Sequence, residues 1–176
     1  MKKRSTLNPL EKSWILYDVG NSAFTLLAST LLSIYFSVLF APHDPTGDLY
    51  LSYWGYAGSI ATVLVAIIGP VCGAIADRKN KRMIFLVCLI VGVLACALLG
   101  AMSGWIVFLA MFILAKVGYS ASIVFYDSML PEISTGDRID NVSTMGYAYG
   151  YIGSVIPFVA CLALVLGGTV SELFSF

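Results

Sequence analysis

The stretch that decides the architecture runs from Leu51 to Ser103: LSYWGYAGSIATVLVAIIGPVCGAIA over 51–76, DRKNKR over 77–82, then MIFLVCLIVGVLACALLGAMS over 83–103. Two uncharged apolar runs flank six residues, of which five are charged. A hydrocarbon core about 30 Å thick is crossed by about 20 apolar residues in a helix. Each run is therefore long enough for one crossing, and the charged hexapeptide is a turn in water. Working outward, further apolar stretches lie at 14–41, 105–126 and 144–167, which makes five expected spans in an all-α, polytopic chain. Pro42, Pro45 and Gly47 mark one linker, Ser103-Gly104 a minimal turn, and Asp127 to Asn141 a polar connection. Fusing 83–126 into one helix would give roughly twice the length the bilayer needs, so a tight hairpin is expected there. Residues 1–13 are left as an N-terminal segment and 168–176 as a short tail.

Composition leads to the same class. Of 176 residues, 59% are hydrophobic and 11% charged, and the mean hydropathy is +0.90. A soluble domain carries about 25% charged residues to solvate its exterior, so lipid must replace water over much of this surface. Ten basic side chains balance ten acidic ones, which leaves no cationic excess for a nucleic-acid backbone. Cys72, Cys88, Cys96 and Cys161 stand singly in apolar runs and read as small hydrophobes. His43 lies in the polar linker and is expected to be solvated. No nucleophile–base pair, phosphate loop or metal-ligand spacing appears, so neither enzyme chemistry nor a cofactor is expected.

The short connections assign an orientation. Lys2, Lys3, Arg4, Lys12, Arg78, Lys79, Lys81, Arg82 and Arg138 all fall on one side of a five-span chain. The positive-inside bias makes that side cytoplasmic, with His43, Asp44, Asp48 and the C-terminal tail outside, in a plasma (inner) membrane. Lys2, Lys3 and Arg4 before an apolar stretch also fit a signal peptide. That stretch, however, far exceeds the usual apolar region of about 7–15 residues and contains Asp18, so it is expected to remain attached.

Charges inside the spans carry the sharpest functional signal, because an ionisable group at mid-bilayer is retained mainly where it faces protein or water. Asp18, Ser22, Thr25, Ser29 and Ser33 recur at helical spacing on one face of the first span, with Asn21 beside them. Ser and Thr alone would fit a packing seam between membrane helices; Asp18 and Asn21 also fit a hydrated cavity. Lys116 sits about 16 Å into the fourth span, with Tyr119, Ser120 and finally Asp127 on the same face. It reads either as a site for a substrate carboxylate or coupling ion, or as half of a buried ion pair with Asp18. Gly69 and Gly73 in the second span, and Gly146, Gly150 and Gly153 with Pro157 in the fifth, form smooth strips suited to close helix contact.

The run Gly73-Ala74-Ile75-Ala76-Asp77-Arg78-Lys79-Asn80-Lys81-Arg82, placed between the second and third spans, resembles the loop signature of the major facilitator superfamily. Asn80 stands where that signature commonly has glycine, a tolerable change because Asn also enters the left-handed backbone region. Trp14 to Phe24, Phe125-Tyr126-Asp127-Ser128-Met129-Leu130-Pro131-Glu132-Ile133, and Met145 to Gly153 are similar to the branch containing vacuolar amino-acid effluxers of autophagy and their bacterial relatives. Lys116 departs from the pattern expected of that branch.

The resemblance implies a secondary transporter that moves a small polar solute, such as an amino acid, by alternating access. It implies that spans 1 and 4 line a cavity, that spans 2 and 5 face the other half, and that span 3 faces lipid. Asp18, Asn21, Ser22, Lys116, Tyr119 and Ser120 are the cavity candidates. Gly73, Asp77, Arg78, Lys81, Arg82, Tyr126 and Asp127 are candidates for a cytoplasmic gate. Such transporters have about twelve spans in two six-helix halves, so five spans predict an incomplete N-terminal half. It would need a separate C-terminal half, or a homodimer partner, before it could move anything. The competing expectation is a small membrane interaction protein that binds other helices through its glycine strips and transports nothing.

Overall fold

The computed structural model describes residues 7–76, 81–101, 103–136 and 138–166. Five helices account for most of them: α1 (Pro9–Phe40), α2 (Leu49–Ala76), α3 (Lys81–Leu99), α4 (Trp105–Ile133) and α5 (Arg138–Leu166), with one turn of 3₁₀-helix at Ala41–His43. No strand occurs among the described residues. All five helices are long and apolar enough to cross a membrane. Apolar side chains such as Tyr56, Ile67, Val87 and Leu94 lie exposed along α2 and α3, as a lipid-facing surface requires.

The helix ends show why the chain breaks where it does. Asn8 opens α1 with a reciprocal cap. Its side-chain oxygen accepts from Leu10 N–H at 3.4 Å, while Glu11 Oε2 reaches back to Asn8 N–H at 2.7 Å. Pro9 stands in the first turn, where its missing N–H costs nothing. At the other end, Asp44 gathers the unpaired donors that open α2. Oδ2 accepts from the Leu49 and Tyr50 N–H groups at 2.9 Å each, and Oδ1 accepts from Gly47 N–H at 2.9 Å and the Thr46 hydroxyl at 3.2 Å. Burial alone would raise the Asp44 carboxyl, but the hydrogen bonds from Tyr50, Thr46, Gly47 and Leu49 hold it below the ordinary carboxylate range. Gly47 takes φ +76° and Gly136 φ +59°, the left-handed region in which glycine meets no steric cost.

The polar stretch from Asp127 to Asn141 is mostly helical rather than a connecting loop. α4 continues through it to Ile133 and α5 begins at Arg138. Polar side chains do not end a helix when their groups can bond within it: Ser128 donates to the Phe125 carbonyl at 2.8 Å, and Ser134 N–H to Leu130 O at 3.0 Å. The reversal waits for Gly136. α3 ends at Leu99 and α4 begins at Trp105, so the connection is longer than a Ser103-Gly104 turn; Ala101 N–H bonds to Leu98 O and Phe108 N–H to Gly104 O. His43 is more than a solvated linker residue, because its ring stacks on Phe40 and approaches Trp105.

The chain divides into two compact units: Met1–Leu32 with Leu130–Phe176, and Ser33–Met129. The first holds most of α1 together with α5. There Gly146, Gly150 and Gly153 lie against Trp14, Asp18, Val19 and Ser22. At the mouth of this unit Arg138 grips Glu11 with two bonds, Nη2 to Oε2 at 2.6 Å and Nε to Oε1 at 3.1 Å, and the Ser134 hydroxyl adds a third at 3.0 Å. Glu11 is 2% exposed and Arg138 38%. The Arg138 guanidinium is the main cause that holds the Glu11 carboxyl at about 2. Burial opposes it, and the Asn8 N–H and Ser134 hydroxyl help it.

The second unit is built on aromatic rings and one close helix crossing. Phe36 and Phe108 are fully buried and stacked, and Phe36 also stacks on Trp54 and Phe40. Trp105 meets Phe40 and Tyr53 edge-on. α3 and α4 touch backbone to backbone: a Cβ placed on Gly118 would lie 2.8 Å from the Gly92 nitrogen and 3.0 Å from the Cys88 carbonyl oxygen. Only glycine fits there.

Two outcomes follow from these contacts. Gly118→Ala forces backbone atoms apart and is expected to cost about 1–3 kcal/mol by overpacking. Gly69→Ala, where a Cβ meets no described atom within 4 Å, leaves stability within about 0.5 kcal/mol; thermal unfolding in detergent micelles measures both. Glu11→Gln removes charge-assisted hydrogen bonds and is expected to cost about 1–2 kcal/mol, the lower part of the range because Arg138 is 38% exposed and solvated. The folded-state value lies near 2 and the ordinary value at 4.5. The stabilisation is therefore complete above 4.5 and fades as pH falls toward 2. The difference between wild type and Glu11→Gln should shrink to nothing across that window, and a constant difference would rule the ion pair out as its source.

Candidate functional site

α1 presents a face of polar residues at helical spacing, and the structure divides it. Asp18 and Ser22 turn toward α5. A Cβ on Gly146 would lie 3.1 Å from Asp18 Oδ2 and 2.7 Å from Trp14 Cζ3, and one on Gly150 would lie 2.7 Å from Ser22 Oγ and 3.5 Å from Asp18 Oδ2. The missing side chains of α5 make the space into which a carboxylate and a hydroxyl fit. Thr25 and Ser29, farther along, are exposed, and their hydroxyls bond to the α1 carbonyls of Asn21 and Leu26. Asp18, Asn21 and Ser22 are each partly buried. The α5 strip makes the close contact its glycines predict. On α2, by contrast, a Cβ at Gly69 or Gly73 would meet nothing within 4 Å among the described residues.

Lys116 is carried by α4, partly buried, with Tyr119 and Ser120 one turn further along the same helix and likewise partly buried. Its ammonium lies 3.5 Å from the carbonyl oxygen of Gly58 on α2. One turn before that contact on both helices, Trp54 stacks on Phe112 with ring centroids 4.1 Å apart. The two helices therefore run alongside each other in register, Trp54 opposite Phe112 and Gly58 opposite Lys116. Gly58 drew no attention in the sequence, where it is one small residue among many in an apolar run.

The gate candidates are spread over several elements. Asp77 and Arg78 lie outside the described residues. Lys81 is partly buried at the start of α3, and Arg82 beside it is exposed. Near the end of α4, Tyr126 is 3% exposed and Asp127 is exposed. Pro157 lies within α5 and is partly buried. The Glu11–Arg138–Ser134 cluster was not among the candidates. Its signal was present as Asn8-Pro9-Leu10-Glu11, a capping pattern just ahead of an apolar run.

Comparison with known proteins gives these features a family. Residues 49–139 match the family model described as vacuole effluxer Atg22 like. The chain is also 33% identical over 170 residues to an uncharacterized MFS-type transporter, YxiO, of Bacillus subtilis (strain 168). That alignment covers 94% of this chain and 39% of the relative, so the chain spans about two fifths of the length of that transporter. No solved structure matches it significantly. With five helices able to cross a bilayer and more than half its length matched, the chain is an integral multi-pass membrane protein of the Atg22-like family of MFS-type transporters.

Proposed function

We propose that the chain supplies the N-terminal bundle of a secondary transporter that moves a small polar solute, such as an amino acid, by alternating access. The observation that carries this reading is the pair of ionisable residues held within apolar helices of a transporter family, Asp18 in α1 and Lys116 in α4. Such groups are retained in membrane helices chiefly where they face protein or water, and often mark solute or ion pathways. Asp18, Asn21 and Ser22 on α1, and Lys116, Tyr119 and Ser120 on α4, are the proposed cavity residues. Gly73, Asp77, Arg78, Lys81, Arg82, Tyr126 and Asp127 are the proposed cytoplasmic gate. The proposed orientation puts the N-terminus in the cytoplasm and the chain in the plasma (inner) membrane. Rocking one bundle against another needs more spans than five. The remainder would come from a separate C-terminal half or from a second copy of the chain.

A second reading rests on α2. Its Gly69 and Gly73 meet no described side chain, which also suits a membrane interaction protein that binds a foreign helix and moves no solute.

The test uses vesicles carrying the chain with the remaining spans of the transporter supplied. Radiolabelled amino acids should cross them down an imposed proton or sodium gradient faster than they cross empty vesicles. Asp18→Asn should lower that flux by about tenfold or more, the loss of one charged contact. With the four native cysteines replaced, a water-soluble thiol reagent should label Asp18→Cys. Flux equal to that of empty vesicles, together with an unlabelled cysteine and a stable cross-linked complex with another membrane protein, would establish the second reading.

A further inference from the structure

Hydroxyls inside these helices satisfy themselves, and the Lys116 ammonium does not. Thr62 donates its hydroxyl to the Gly58 carbonyl at 2.9 Å, and its own N–H points to the same oxygen by the α-helical pattern. A carbonyl oxygen has two lone pairs, so both are engaged by α2 before the lysine arrives. Lys116 Nζ approaches as a third donor at 3.5 Å, the outer limit at which a contact counts as a hydrogen bond. An ammonium carries three N–H donors, and among the described residues this one long contact is all they find. Asp127, the acid on the same face of α4, lies eleven residues further on, roughly 16 Å along the helix.

The α2 surface beside the ammonium is made of small residues. Ala57 and Ala61 on α2, on either side of Gly58, are 3% and 0% exposed, and Gly58 itself has no side chain; even a Cβ there would stand 3.7 Å from Nζ. A larger side chain would occupy the space in front of the ammonium. Trp54, stacked on Phe112, lies one turn away. Tyr119 and Ser120 bring hydroxyls to the same face of α4 one turn further along. The arrangement is a point charge with unfilled donors, set between an aromatic pair and a run of small residues.

We propose that Lys116, held against the α2 backbone at Gly58, is the anchor for the carboxylate of the transported solute. The assignment rests on the transport reading and narrows it to solutes with a carboxylate group. Lysine suits the role because a compact ammonium can give two or three charge-assisted hydrogen bonds to carboxylate oxygens, each stronger than its contact with an already engaged carbonyl.

The test uses Trp54 as reporter. Trp14→Phe and Trp105→Phe leave it as the remaining tryptophan, since the chain has three, and the protein is placed in nanodiscs of phosphatidylcholine free of fatty acid. The probes are L-alanine, L-leucine and acetate, each set against its carboxamide, with dodecanoate as a lipid-derived carboxylate. The expected result is a saturable change in Trp54 emission with the water-soluble carboxylates and none with the amides. Lys116→Gln should weaken that binding by about tenfold or more, and Lys116→Arg, which keeps the charge, should hold it within about threefold. An equal response to acids and amides, a response that survives Lys116→Gln, no response at all, or a response to dodecanoate alone would each overturn the proposal. The two readings fail separately. Carboxylate binding through Lys116 without solute flux sinks transport and keeps the anchor, whereas flux undiminished in Lys116→Gln sinks the anchor and keeps transport.

Discussion

Hydrocarbon neither donates nor accepts a hydrogen bond, and the backbone and many hydroxyls of the described helices are arranged around that fact. Backbone groups are closed within helices. The hydroxyls follow the same rule: Thr30, Ser37, Ser59, Thr62, Ser122, Thr144 and Ser154 each donate to a carbonyl three or four residues earlier in their own helix. A hydroxyl can do this because it reaches one turn back with a single donor. A carboxylate cannot, since the helix offers it no free N–H beyond the first turn. An ammonium has too many donors for one carbonyl. Asp18 and Lys116 are thus set apart from the residues around them by valence as much as by charge.

Shape holds several of the described helices together. Two kinds of contact do this work. On α5 the glycines receive side chains of α1, the rigid Trp14 indole and the polar Asp18 and Ser22. Between α3 and α4 the glycines face one another, Gly92 against Gly118, and bring backbone to backbone. The first leaves a slot whose contents can change, whereas the second is filled and cannot. Charge acts at the ends instead. Asp44 organises the start of α2, and Glu11 with Arg138 ties the start of α1 to the start of α5. Both acids are buried, and the donors gathered around each offset the cost of keeping it ionised.

The sequence makes the spans legible because membrane crossing depends on length and polarity, both of which are local. The helix ends are less legible, because Asp127, Ser128 and Glu132 look like loop residues but bond or solvate comfortably on a helix that has reached water. Partnering is the least legible property. Gly146, Gly150 and Gly153 announce a contact by their spacing, yet Gly69 and Gly73 have the same spelling and meet no described atom. Gly92 and Gly118 bring two backbones together without any repeat. Glycine shows where an approach is allowed, and only the neighbouring helix decides whether it happens. Glu11 and Arg138, 127 residues apart in the chain, could be joined only by the fold.

The contrast between the two intramembrane charges has a structural origin. Asp18 is fitted into a slot: a side chain at Gly146 or Gly150 would collide with it or its neighbours, so the glycines of α5 and the carboxylate of α1 are mutually required. Lys116 is not fitted in that sense. Its hydrogen-bond contact on α2 is to a carbonyl already used twice, and a methyl group at Gly58 would merely touch the ammonium. Asp18 is bounded by glycine on the α5 side and stays partly exposed. On the proposed reading, a lysine with unfilled donors inside a span is costly, by about 2.5–3.5 kcal/mol at a helix centre on insertion scales, and an incoming anion would recover part of that cost. That recovered energy gives the lysine, more than the aspartate, a reason to bind and release.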